Sequence, residues 1–477
     1  MKKLITRLLS LALICAFVPS FVLADWYLED GSIIVEAKGD TQTVTQGDGS
    51  PTPDNNPVIS NSKTPDSSKS TTNTITIKAE EKATANVTLD NVNIDVSSEG
   101  SEYNAAITTK GEGNVTIELN GTNTVKSGSE HAGLEKNNDG KLTITDSNKD
   151  QGSLDATGGE FGAGIGGGDG GAGTDITVSG GKVIATGGKY GAGIGGGHKG
   201  DGKDITVSGG DVTAEGVFRG AGIGGGCEGD GTDITISGGD VTAKSVDLGA
   251  GIGGGYKGAG TGITVSGGEV NAQGGDSGAG IGGGARGTGT DITVSNDAQV
   301  KVQGGEKYND YYGTGAGIGD GGTFGQDGKE LSQDPGKLNG GTIRYYAPGA
   351  NMQTDAPTLI VSNPKGNTAE TAVEVRQEAY WVCGSDGQAL PYQSQVKDGV
   401  LTVTVQADTA SLRGTTGSLR QLEAQGITEI RFVTNQAQSD FILSDLLTSG
   451  TGSVTLTHDG DKVTFTLESK DISGILK

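Results

Sequence analysis

The stretch Glu306-Lys-Tyr-Asn-Asp-Tyr-Tyr312 gathers three of the chain's 11 tyrosines into seven residues. Tyrosine rings cover the apolar faces of sugars, while neighbouring amides and carboxylates bond sugar hydroxyls. Tyr308, Asn309, Asp310, Tyr311 and Tyr312 are therefore candidate carbohydrate-binding residues. Phe161, Tyr190 and Phe218 stand just before glycine-rich strings upstream, and Tyr190 and Phe218 are candidates to extend the same platform. A second set is acidic, because Asp175, Asp204, Asp233 and Asp291 recur at multiples of 29 residues, with Gly262 interrupting the series. Carboxylates stacked at strand spacing repel unless a cation bridges them or backbone N–H groups bond to them. These four are candidate metal ligands, with calcium the candidate ion; the competing reading is that each Asp caps a turn before its strand.

Catalytic constellations are scarce. Hydrolysis of a glycosidic bond needs paired carboxylates, and a lyase needs a basic residue beside the site. The repeats hold no adjacent Asp-Asp pair, and only three histidines occur in the chain. One of them, His198, gives way to Asp169, Cys227, Tyr256 and Ala285 at equivalent positions, which reads as a solvated turn residue. The sequence predicts binding without catalysis.

These residues hang on a repeat. Gly-Ala-Gly-Ile-Gly begins at Gly162, Gly191, Gly220, Gly249 and Gly278, 29 residues apart, and returns at Gly315 after 37. Ile-Thr-Val/Ile-Ser starts at Ile176, Ile205, Ile234, Ile263 and Ile292, and pairs such as Val183/Ala185 and Val212/Ala214 follow in the same register. Each unit thus has three short alternating runs separated by glycine, with no helical period. One unit cannot bury its apolar face, but units stacked ~4.8 Å apart turn each position into a ladder. The expected fold is an all-β parallel β-solenoid with three short strands per 29-residue coil. It should run over residues 73–353 in about nine coils, roughly 40 Å long. Glycine would serve the corners and leave one face bare enough for a partner's close approach.

The flanking segments differ in composition. Lys2, Lys3 and Arg7, an apolar stretch over 8–23 and Val22-Leu-Ala24 predict a secretory signal over residues 1–24, hence an extracellular or cell-surface protein. Residues 25–46 should supply an N-terminal capping strand, and the Ser/Thr/Pro/Asn-rich stretch 47–72 a linker or long loop. Residues 354–477 read as a smaller α+β domain. Its strands are expected near 358–362, 373–376, 400–405, 429–433, 454–457 and 463–467, with a capping box at Ser418-Leu-Arg-Gln421 opening a short helix. A His458-Asp-Gly-Asp461 turn should join the last two strands. The net charge of −24 argues against nucleic acid or anionic membranes as partners, and no later stretch is apolar enough to span a bilayer. Cys227 and Cys383 lie too far apart, in segments too different, to suggest a disulfide framework.

The units Ser179–Gly197 and Ser208–Gly226 share the pattern Ser-Gly-Gly-x-Val-x-Ala…Gly-Ala-Gly-Ile-Gly-Gly-Gly. They resemble repeats of secreted clostridial proteins grouped as carbohydrate-binding domain-containing proteins, and a right-handed parallel β-helix that binds polygalacturonate. The resemblance covers roughly residues 73–353 and implies a right-handed coil with a polysaccharide partner. An acidic glycan meeting so acidic a protein would need bridging calcium or local cations such as Lys199, Lys257 and Arg286. Around the first Asp, Gly170-Gly-Ala-Gly-Thr-Asp175 is similar to the calcium-binding nonapeptide of β-rolls, but Thr177 occupies the apolar position. Two other readings are a structural surface adhesin or spacer, with host or bacterial surface proteins as partners, and a degenerate polysaccharide lyase.

Overall fold

A computed structural model describes residues 26–477, apart from 64–68, 99–103, 150–151, 310, 332–340, 356, 363–373, 377–379, 386–389, 417–418, 420–421, 424–425, 451–452, 461 and 468–469. The signal segment 1–24 thus lies outside the described residues.

The three runs of each repeat become three strands, and like strands of successive coils pair in parallel. Ile165 stands against Ile194, then Ile223, Ile252, Ile281 and Ile318. A second face stacks Ile176 on Ile205 and Val178 on Val207, and a third stacks Val183, Val212, Val241, Val270 and Val300. All of these side chains are buried in one continuous core. Burying an isoleucine or valine contributes about 1.5–3 kcal/mol, and a coil obtains that only from its neighbours. The molecule is therefore a parallel β-helix.

The glycines are used differently from the expected bare face. Gly195 has φ +135°, and a Cβ built on it would lie 2.0 Å from the Gly224 carbonyl oxygen. A Cβ on Gly197 would meet the Gly168 oxygen at 1.9 Å. The close approach that glycine permits is thus between the solenoid's own coils, and Gly191–Gly197 is buried rather than open to a partner.

Two boundaries move. The segment 47–72 is more than a linker, since Val58–Ser60 forms a strand between Trp26–Tyr27 and Thr84–Asp90, with Ile59 buried. A polar composition hid a two-residue apolar signal. At the other end, Leu359–Ser362 and Glu374–Arg376 pair antiparallel beyond Thr342–Tyr346, so they close a solenoid sheet instead of opening the next domain.

A second core unites two further sheets. One holds Tyr380–Cys383, Thr409–Thr415, Ser453–Asp459, Lys462–Leu467 and Lys470–Asp471; the other holds Tyr392–Lys397, Val400–Val405, Glu429–Val433 and Gln438–Ile442. Among the described residues one α-helix spans Leu443–Ser449, which the sequence reading did not anticipate, and Thr416, Leu419, Leu422 and Glu423 are also helical, in the region of the expected short helix. Of the expected capping box, Ser418, Arg420 and Gln421 lie outside the described residues, as does Asp461. His458 is not in a turn; it sits buried in strand Ser453–Asp459.

Candidate functional site

Between Ile281 and Ile318 the repeat lengthens, and the extra chain folds into an aromatic outcrop. The Tyr308 amide donates to Ser277 Oγ at 3.1 Å, seating the loop on the coil before it. Tyr312 then bridges antiparallel to Phe324, with Gly325 donating to the Tyr311 carbonyl at 2.9 Å and Gly313 to that of Thr323 at 3.0 Å. These bonds fix the backbone that carries the rings. Tyr311 is 69 % exposed and Phe324 59 %, whereas most large apolar side chains are buried. Tyr312 lies 4.8 Å from Phe324 and 6.1 Å from Tyr308, centroid to centroid. Asn309 is exposed at φ +50°, and Asp310 lies outside the described residues.

Cations border the outcrop. The Arg286 guanidinium sits 4.9 Å over the Phe324 ring, and its Nη1 donates to Tyr256 Oη at 3.5 Å. Tyr256 Oη in turn lies 3.4 Å from Tyr312 Oη. Burial opposes ionisation of Tyr256, but hydrogen bonds from Tyr312 and Arg286, with the charges of Arg286 and Lys257, outweigh it and hold the phenol below its usual range. The bond to Tyr256, helped by burial, pushes Tyr312 the other way.

Tyr190 and Phe218 join the same corner without extending the open platform. Phe161 and Tyr190 stack at 5.4 Å, nearly parallel, and Tyr190 meets Phe218 edge-on at 6.4 Å. Arg219 continues the column, standing 5.1 Å over both Phe218 and Tyr256. Ring faces that cover one another are not free for a sugar, so this column braces successive coils. His198 belongs to it, packing on Phe161 and Tyr190 while its Nδ1 lies 3.0 Å from Asp169 Oδ1. It is therefore more than a solvated turn residue. Cys227 is buried in the same corner, and burial pushes its thiol up. Beneath the column Asp247 is only 8 % exposed, and its Oδ2 has no hydrogen-bond partner. Burial and the nearby Asp276 push its carboxyl up to about 6, with Arg219 opposing.

Sequence reasoning missed Tyr256, Arg219 and Phe324 as members of this cluster. The 29-residue register placed Tyr256 in the column of His198, so that signal existed. Nothing local announced Phe324, which reaches Tyr312 only by tertiary folding.

The acidic column has a backbone explanation. Asp175, Asp204, Asp233 and Asp291 all adopt φ +53°, and Gly262 takes φ +69° at the equivalent place. Asp175, Asp204 and Asp291 take this left-handed position within their strands, and Asp233 takes it between Gly231–Thr232 and Thr235–Ile236; the pairing of Thr174 with Lys203 and Ile176 with Ile205 skips it. Asp tolerates that conformation better than most residues, and Gly most of all. Asp175, Asp204 and Asp233 line a shallow trough of about 560 Å³ with Lys141, Thr177, Thr206 and Thr235. Among the described residues, no group of three or more His, Cys, Asp or Glu side chains is arranged to hold a metal ion. The column thus answers to a left-handed backbone position within the sheet, rather than to a turn cap ahead of each strand.

Fold and register together define a parallel β-helix protein. A family model described as a β-helix repeat matches residues 151–169, 176–198, 205–227, 234–256 and 263–285. No curated protein and no solved structure matches the chain.

Proposed function

We propose that this protein binds polysaccharide outside the cell, through the outcrop of Tyr308, Tyr311, Tyr312 and Phe324. The observation that carries the reading is that the rings of Tyr311 and Phe324 stay exposed on segments whose backbones are bonded to one another. Aromatic rings on a pinned backbone present apolar area to a sugar with only side-chain torsions left to order. Asn309 adds an exposed amide, and Arg286 suits an acidic plant or cell-wall glycan. The N-terminal signal pattern supports secretion, and the resemblance of the repeats to carbohydrate-binding clostridial proteins points the same way.

A glycan array followed by titration tests this. Binding to one or more polysaccharides is expected, and replacing Tyr311 and Phe324 together by Ala should weaken it at least tenfold, about 1.4 kcal/mol. Because both side chains are largely exposed, the melting temperature should hold. Absence of glycan binding, or unchanged affinity in the double variant, overturns the reading.

A further inference from the structure

The C-terminal sheets leave one strand edge open. Among the described residues, Tyr392–Lys397 pairs with Val400–Val405 and with no other strand. The turn between them fixes which backbone groups face outward. Asp398 and Gly399 take φ +50° and +77°, the two positive values of a type I′ hairpin. Residues flanking such a turn exchange both backbone bonds, so Lys397, Gln395 and Gln393 bond to the neighbouring strand. The N–H and C=O groups of Ser394 and Val396 point the other way, and among the described residues no hydrogen bond uses them. Ser394 stands opposite Val403 and Val396 opposite Leu401, so both share the face on which Leu401 and Val403 are buried. At the edge that face is uncovered, and Val396 is 57 % exposed. The far edge of the same sheet is closed instead. Leu476 bridges antiparallel to Phe441, and the Lys477 amide donates to the Asp440 carbonyl at 2.9 Å.

We propose that this edge is a dimer interface, taken by the same strand of a second copy running antiparallel about a twofold axis. Pairing centred on Gln395 sets Ser394 opposite the partner's Val396, and Val396 opposite the partner's Ser394. Each pair exchanges both backbone bonds, so every open N–H and C=O of Ser394 and Val396 is satisfied at once. The arriving strand also covers the Val396 side chain, extending the apolar face that Leu401 and Val403 begin. Charge favours a second copy at this place above others. Copies of a chain of net charge −24 repel, yet between Pro391 and Gln406 the only charged residues are Lys397 and Asp398, which cancel. Open edges are usually blunted by a proline, a bulge or several charges, and the strand itself carries only Lys397, at its end. Pairing consumes the open edge while Leu476 and Lys477 block the other, so assembly through this sheet stops at two. The interface is independent of whatever the aromatic outcrop binds.

Sedimentation velocity on the full chain, over about a hundredfold range of concentration, should show a monomer–dimer equilibrium. Val396→Pro should weaken the dimer about tenfold or more, because the N–H it removes is one that only the second copy uses. The hairpin's own bonds survive that change, and an unaltered C-terminal melting transition checks that the variant folds. Val396→Lys leaves the backbone intact and sets like charges beside the axis, so it should weaken the dimer as well. Gln395→Cys should link the copies by a disulfide when an oxidant is added, since the axis brings the two Cα atoms to about 4.5 Å. Cys227 and Cys383 are buried, and the parent chain under the same oxidant gives the baseline. A monomer at every concentration overturns the interface. So does a dimer that persists undiminished in Val396→Pro and Val396→Lys, or one that Gln395→Cys leaves unlinked.

Discussion

Asp247 shows what one residue costs at a crowded corner. Its carboxylate is buried beneath Arg219, with one oxygen unbonded, and its folded-state value stands at about 6 against an ordinary carboxylate value of about 3.9. A group raised on folding favours the fold most below its unfolded value, and that advantage disappears as pH rises through the folded one. Above about pH 6 the protein therefore carries a buried charge as a standing penalty. Asp247→Asn keeps the shape and removes the charge. It should stabilise the solenoid at pH 7, by on the order of 1–2 kcal/mol, and do little at pH 4. Chemical denaturation at the two pH values measures this; equal effects at both would show that the charge is not the cause.

At the scale of the element, the strand bearing the acidic column needs a left-handed residue more than it needs a carboxylate. Gly262 already occupies one such bulge, in register with its neighbours. Asp204→Gly should accordingly change stability by less than about 1 kcal/mol. Addition of EDTA should leave the melting temperature of the parent protein unmoved. A chelator-induced drop, lost in the glycine variant, would restore calcium to the column. The same economy governs the longer loop. A single antiparallel bridge between Tyr312 and Phe324 brings its two arms together.

On the scale of the whole molecule, the chain builds two separate apolar cores, one from residues 28–361 and another from 380–467. Two cores imply two unfolding transitions with their own pH responses. In the second core His458 is buried against Phe432, between Ser439 Oγ at 2.9 Å and Thr434 Oγ1 at 3.2 Å. Burial lowers its pKa below the usual 6.5. Under acid the unfolded chain takes the proton first, so stability is full above about pH 6.5 and declines as pH falls below it. Calorimetry from pH 7 to 5 should show the C-terminal transition moving down, while Asp247 favours the solenoid over the same range. His458→Gln should flatten the C-terminal response. An equally steep decline in that variant would place the sensitivity elsewhere.

The sequence by itself determined the coil. A 29-residue period states which side chains lie above one another, because each coil can bury its apolar face only against the next, and Ile165 through Ile318 followed that rule across the lengthened unit. It also pointed to the tyrosine loop as the place where the repeat breaks. Tertiary structure alone decided which rings remain open. Phe161 and Tyr190 look as promising as Tyr311 in sequence, yet stacking one coil apart covers their faces, while Tyr311 stands clear. Tyr256, Arg286, Tyr312 and Phe324 meet because a non-repeating insertion folds back onto the corner, and no period encodes where such a loop will land. The glycines make the same point in reverse. Their spacing was legible at once, but only the packed coils showed that neighbouring carbonyls fill the space their missing side chains leave.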